Sequence, residues 1–319
     1  MKAAIVCGPG QMPIFGDFAA PVPPAGDLRI AVTAAALSQV VKSRASGRHY
    51  SSSGSFPFVV GIDGVGRLDD GRRVYFVLPT PPYGSMAEQT VAPPDRCVVL
   101  PDDLDDVTAA AIANPGMSSW AAFTERARLK AGETVLVNGA TGIAGRLAVQ
   151  IAKYLGAGKV IATGRNVEAL ASVAALGADV TIPLGDDDSI AEDRFRTAFA
   201  DGVDVVIDYL WGPSAVNLLI AGAKYGVDAV PIRFVQVGSV SAANIELPSA
   251  VLRSSAIALM GSGIGSIPMD RLVAAIGGVL RAAVPGGFGI AVNPVPLSRV
   301  ETAWNETDSR RRTVFLLSA

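Results

Sequence analysis

The stretch Val135–Asn166, "VLVNGATGIAGRLAVQIAKYLGAGKVIATGRN", constrains the fold of this chain more than any other. An apolar β-run, Thr134–Asn138, leads into a glycine-studded turn. A helix follows over Ile143–Leu155, with apolar residues at three and four spacing, and then a second β-run over Val160–Thr163. The glycines are Gly139, Gly142 and Gly145, a GxxGxxG spacing rather than the common GxGxxG. A tight strand-to-helix turn needs glycine, and a dinucleotide pyrophosphate needs close backbone approach and the amides of a helix N-terminus. Gly139, Ala140, Thr141, Gly142, Ile143 and Ala144 are therefore candidate cofactor-binding residues. A glycine-rich turn in any α/β protein would share the triple alone. The flanking strand and helix, with a second strand ending about 20 residues on, favour a nucleotide.

Alternation continues downstream. Helix Val167–Ala175, strand Val180–Ile182, helix Ile190–Phe199, strand Val203–Asp208, helix Ala215–Ala223 and strand Phe234–Ser239 follow in turn, and "AIALMGSG" reads as a sixth strand. This pattern predicts a doubly wound parallel sheet with helices on both faces. The first hundred residues differ: "LRIAVTAAAL", "FVVGIDGVGRL", "RRVYFVL" and "RCVVL" are short β-runs between turn residues, as in a small β-rich barrel-like domain. Helical segments around "DVTAAAIANPGMSSWAAFTERARL" are expected to break or bend at Asn114-Pro115-Gly116, because proline lacks the helix donor. The tail, "VNPVPLSRVETAW" and "TVFLLSA", reads as strand, short helix and strand rejoining the first domain. The expected boundaries are 1–112 for the first part of the β-rich domain, 113–254 for the nucleotide-binding domain, and 255–319 for an edge strand and the return.

The end of the second β-run selects the dinucleotide. An NAD site usually places Asp or Glu there for the ribose hydroxyls. This chain has Thr163-Gly164-Arg165-Asn166, with no acid before Glu168. A guanidinium can hold a 2′-phosphate by paired hydrogen bonds, which a carboxylate would repel. Arg165 reads as an NADP selector beside Gly164 and Asn166; a solvated surface arginine is the alternative. Lys153, inside the first helix, is less suited.

Bulk properties narrow the partners. A net charge of −2 over 319 residues offers no footprint for nucleic acid. No apolar run approaches the ~20 residues of a membrane span, and the start does not read as a signal peptide. Two cysteines, Cys7 and Cys97, make no disulfide framework. A cytoplasmic protein, soluble in a reducing compartment, is expected.

These residues together resemble the medium-chain dehydrogenase/reductase superfamily, in its zinc-free quinone oxidoreductase branch. The resemblance runs nearly end to end, through "MKAAIV", "FPFVVGIDGVGRL", "GRRVYF", "YGSMAEQTVAP", "LPDDLDDVTAAAI", the glycine segment, "LGADVTI", "GVDVVIDYLWG", "VQVGS" and "RRRTVFLLSA". It implies a GroES-like catalytic domain beside a Rossmann domain, with the active site in the cleft between them. Where zinc members carry ligands, this chain has Ser38, Ile62-Asp63 and Pro115-Gly116, and the four-cysteine zinc loop is missing. One histidine, His49, and two distant cysteines do not make a zinc site, so no metal is expected.

The resemblance implies an NADPH-dependent enzyme that passes hydride to a quinone or an α,β-unsaturated carbonyl, a small-molecule substrate. Many relatives have Asn-x-x-Asp where this chain has Ser38-Gln39-Val40-Val41. Ser38, or Gln39, is a candidate substitute donor. Tyr50 keeps the aromatic of the family; it is either a proton donor or a pocket wall. Asn114 and Ser118, or Ser119, lie where relatives meet the nicotinamide, though Asn114 reads equally as a helix cap. "QVGS", Gln236 to Ser239, ends the fifth strand, where Rossmann ligands lie, which makes Val237, Gly238 and Ser239 candidate cofactor contacts. Gly261 and Ser262 are expected near the same ring, on the edge strand of a homodimer. Tyr209–Gly212 either cover the cofactor or join the core. Two other readings compete. A short-chain reductase also has a glycine motif like "NGATGIAG", but no Tyr-x-x-x-Lys occurs here. A non-catalytic NADPH-binding sensor would explain the lost Asn and Asp.

Overall fold

Strands buried on both faces read as continuous apolar runs, and that is how the central sheet of this protein is built. The computed structural model describes residues 1–46, 55–185, 188–306 and 310–317, with the backbone alone at 188–190. The chain divides into two units: residues 1–114, 276–285 and 289–319, and residues 115–275 with 286–288.

The first unit carries β1 (Lys2–Val6), β2 (Ile14–Asp17), β3 (Leu28–Ala36), β4 (Phe58–Val59), β5 (Asp63–Leu68), β6 (Arg73–Val77), β7 (Gln89–Ala92) and β8 (Cys97–Val99). Two helices accompany them, α1 (Gln39–Ala45) and α2 (Asp106–Ala121), the latter running on past the unit boundary. Strand β3 alternates between buried and less buried positions at its start and is fully buried over Ala34–Ala36.

The second unit carries β9 (Thr134–Asn138), α3 (Ile143–Tyr154), β10 (Lys159–Gly164), α4 (Val167–Ala174), β11 (Val180–Pro183), α5 (Asp188–Ala200), β12 (Val205–Asp208), α6 (Gly212–Tyr225), β13 (Ile232–Gln236), α7 (Ser249–Arg253) and β14 (Ile257–Gly261). Then α8 (Met269–Ala283) leads to β15 (Val292–Pro296), α9 (Val300–Ala303) and β16 (Arg312–Leu316). Strands β15 and β16 join the sheet of the first unit, in the order β15-β16-β3-β5-β6-β8, with β7 on β3.

The parallel sheet has the order β11-β10-β9-β12-β13-β14. Its first and fourth strands, β9 and β12, are neighbours, and the strand order reverses there. Ligands of open α/β sheets bind at that reversal, beyond the carboxyl ends of the strands. Helix α3 is clamped to the sheet by Leu147, Ala148, Ile151 and Ala152, all with no exposure. Burial of a leucine or isoleucine contributes about 1.5–3 kcal/mol, enough to hold the turn before α3 in one place.

One expectation is corrected. The helix does not break at Asn114-Pro115-Gly116. Pro115 lies inside α2, which continues into a π-helical segment, Ala122–Ala127. Ala109–Ala113 are wholly buried, and the Ser118 and Ser119 hydroxyls donate to the Pro115 carbonyl at 2.7 and 3.4 Å. Packing outweighs the ~3 kcal/mol local penalty of an interior proline. Asn114 is consequently not a helix cap. The fifth strand also ends at Gln236, so Val237–Ser239 form the turn beyond it.

Candidate cofactor site

Register places the candidate residues of the second unit along one edge. In the parallel ladder Asp208 pairs with Asn138, Gln236 with Asp208, and Gly261 with Gln236. The carboxyl ends of β9, β10, β12, β13 and β14 thus present, side by side, Gly139–Ala144, Gly164–Asn166, Tyr209–Gly212, Val237–Ser239 and Gly261–Ser262.

The glycine turn has the shape a pyrophosphate requires. Gly139 adopts φ +89, a left-handed conformation that side chains disfavour. A Cβ on Gly145 would stand 2.6 Å from the Ala140 Cα and collide with the Gly139 carbonyl, so this glycine lets α3 approach β9. Gly142 caps α3 and offers no side-chain bond to its amides. The first-turn N–H groups of a helix have no intrahelical partners, and they attract anions.

A buried polar network holds this turn in place, and it was not singled out from the sequence. Asn138 Nδ2 donates to Asp208 Oδ1 at 2.8 Å and to Ser214 Oγ at 3.0 Å. Thr163 Oγ1 donates to Asn138 Oδ1 at 2.6 Å and accepts from the Gly139 amide at 3.2 Å. The Leu210 and Trp211 amides donate to Asp208 at 3.0 and 3.1 Å. Burial raises the Asp208 carboxyl above its ordinary value, and these donors pull the other way. The network ties the ends of three strands together. Its one signal in the sequence is a polar residue closing an otherwise apolar run, in "TVLVN" and "VVID".

Tyr209 is buried and shares a 2.8 Å hydrogen bond with the Ser119 hydroxyl. Burial pushes its phenol up to about 12. Tyr209 is thus a core residue. Trp211 adopts φ +58 and lines a cavity of about 360 Å³ with Gln236, Ser239, Ala243, Leu259, Met260 and Gly261. A side chain held at positive φ stores local strain, and such strain concentrates at functional edges.

At the end of β10, Gly164 packs against Thr141, and a Cβ there would meet Thr141 Cγ2 at 2.5 Å. Arg165 is exposed and makes no ion pair among the described residues. Asn166 caps α4, accepting from the Ala169 amide at 2.8 Å. Lys153 is paired with Asp179 at 2.6 Å.

In the first unit, Ser38 caps α1 and accepts from the Val41 amide at 3.2 Å. Asn114 Nδ2 donates to Asp63 Oδ1 at 3.3 Å. Asp63 is wholly buried and also accepts from the Tyr75 hydroxyl at 2.7 Å. An apolar cavity of about 570 Å³ lies in this unit, lined among others by Val41, Arg44, Phe56, Phe58, Val60 and Tyr83. Tyr50 and His49 lie outside the described residues. Among the described residues no three His, Cys, Asp or Glu side chains gather as a metal set, and no helix is long and apolar enough to cross a membrane.

Comparison with known proteins adds to this geometry. The zinc-binding dehydrogenase family matches residues 144–276. A protein of Emericella nidulans, described as a probable NADPH-dependent quinone reductase, is 30% identical over 99% of this chain and 100% of its own length. The quinone oxidoreductase of Sus scrofa is 30% identical over 68% of each chain. The structure of a quinone oxidoreductase from Thermus thermophilus, described also in complex with NADPH, superposes with a TM-score of 0.82 at 26% identity, covering 99% of this chain and 100% of that one. The chain belongs to the medium-chain dehydrogenase/reductase superfamily, in its quinone oxidoreductase-like branch.

Proposed function

We propose that this protein is an NADPH-dependent, zinc-independent oxidoreductase that reduces a quinone or an α,β-unsaturated carbonyl. The observation that carries the reading is the row of strand ends, with a glycine cradle at the strand-order reversal and, one strand away, an exposed arginine with no ion pair among the described residues. The dinucleotide, when bound, supplies the hydride. The backbone amides at the start of α3 would hold its pyrophosphate, and the Arg165 guanidinium would pair with the 2′-phosphate. The names of the relatives support the same cofactor and acceptor class. The first unit carries a cavity whose apolar and aromatic lining suits a flat acceptor.

Without a metal, charge developing on the acceptor oxygen needs hydrogen-bond donors. The Ser38 hydroxyl accepts from Val41, which leaves its own proton available as a donor. Tyr50 is the second proposed donor. Strand β14 lies at the edge of its sheet, with Ala258 and Leu259 exposed, and we assign it to the interface of a homodimer.

The test is a titration with NADPH and NADH, followed by nicotinamide oxidation with a panel of quinones and enones. Selective NADPH binding with turnover is the expected result. Equal affinity for the two dinucleotides overturns the cofactor assignment. Selective binding without turnover on any acceptor favours the sensor reading. In the same assay Tyr50→Phe lowers turnover and leaves cofactor affinity intact; an unchanged rate removes Tyr50 from the chemistry.

A further inference from the structure

Arg146 bridges two helices of the second unit. It sits one residue beyond Gly145 in α3, half-buried, and reaches across to α4. Its Nε donates to the Thr141 carbonyl at 3.1 Å, and its Nη2 donates to Ser172 Oγ at 2.9 Å. Ser172 in turn donates to the Ala169 carbonyl at 2.6 Å, while the Ala169 amide is held by Asn166. Thr141 is the residue packed on Gly164, the neighbour of Arg165. An unbroken set of contacts therefore joins the glycine turn, the guanidinium of Arg146 and the first turns of α4.

Its charge is uncompensated. Both acceptors are neutral, and Arg146 makes no ion pair among the described residues. Glu168, the acid of the α4 first turn, is exposed and bonds to neither arginine. A guanidinium has five N–H donors, and these two bonds use two of them. A single exposed arginine is a weak clamp, because ordering a long side chain opposes the contact. A second guanidinium already held by two bonds loses less freedom when it engages an anion.

We infer that Arg146 is a second specificity-determining residue for the 2′-phosphate, acting with Arg165 where the glycine turn meets the end of β10. This rests on the NADPH reading above. Arg146 supplies the pre-ordered charge and Arg165 the exposed one.

The test uses the intact protein and binding alone. NADPH, NADH, adenosine 2′,5′-bisphosphate and 5′-AMP are titrated against wild type, Arg146→Gln, Arg146→Lys and Arg165→Ala. Arg146→Gln is expected to weaken NADPH and the bisphosphate about tenfold, or about 1.4 kcal/mol, while NADH and 5′-AMP stay within about twofold. Arg146→Lys, which keeps the charge and loses the fork, falls between. An equal loss for NADPH and NADH overturns the inference and makes Arg146 a brace between helices. So does an Arg146→Gln variant that keeps the full NADPH preference while Arg165→Ala loses it, a result that leaves the cofactor reading standing. A wild-type protein that binds NADPH and NADH alike overturns both. Thermal melting of Arg146→Gln identifies a folding defect, and the Lys variant then decides the matter.

Discussion

Removal of the carboxylate of Asp63 is the sharpest test of the first unit. Asp63 is wholly buried and accepts from Tyr75 and Asn114. Arg312, on β16, is 6% exposed, and its Nε and Nη2 are buried without a partner among the described residues. Burial pulls the Arg312 guanidinium below its ordinary value, and the charge of Asp63 acts against that pull. In Asp63→Asn one of the two acceptor oxygens becomes an amide donor and the Arg312 cation loses the attraction of Asp63, while the burial cost of the carboxylate is relieved, for a net loss of about 1–3 kcal/mol. At roughly 2–4 °C per kcal/mol for a unit of this size, the melting midpoint falls by roughly 2–12 °C. Replacing both groups behaves differently. Asp63→Asn with Arg312→Met removes both buried charges and is expected to be less destabilised than the sum of the two single variants. Thermal and urea unfolding of the two single variants and the double variant measure the coupling directly. A double variant as unstable as the sum of the singles refutes the reasoning.

The same carboxyl gives a pH signature. Burial, the largest influence, raises it above the ordinary 3.8, with Arg312, Tyr75 and Asn114 acting in the opposite sense. Between 3.8 and that higher folded value, the folded chain keeps a proton that the unfolded chain has released. Stability therefore falls as pH rises through this window. The Asp63→Asn variant loses that contribution to the slope, and melting curves taken across the acidic range reveal it.

The remaining predictions concern the second unit and the metal. Arg165→Ala loses NADPH affinity by roughly 10–100-fold, the worth of a charge-assisted bidentate contact, and leaves NADH nearly unchanged in the same titration. Gly145→Val forces α3 off β9, destabilises by about 1–3 kcal/mol and abolishes binding of both dinucleotides; retained binding at wild-type strength argues against the glycine cradle. Elemental analysis of the purified protein finds no stoichiometric zinc, and one bound zinc per chain would contradict the proposed zinc-free chemistry.

Local patterns are legible in the sequence alone. "TVLVN" forms β9 over the residues its apolar run marks, and Ile143 opens α3 directly after Gly142, because periodicity and glycine act within a few residues. The same holds for Gly139 at positive φ and for Arg165 at an exposed strand end. What depends on distant packing was not legible. Pro115 reads as a residue that breaks or bends a helix, and α2 runs through it unbroken because Ala109–Ala113 are wholly buried. Asn138 and Asp208 look like ends of two unrelated runs, and only parallel register across 70 residues makes them one hydrogen-bonded pair. Asp63 and Arg312 come from opposite ends of the chain, and Arg146 meets Ser172 only after α3 and α4 dock on the same sheet. The sequence by itself determined the kinds and order of elements and the glycine turn, since short-range sterics and hydrophobic period set them. The tertiary structure decided which polar groups face each other, since burial removes water and leaves each such group dependent on partners that only the fold supplies.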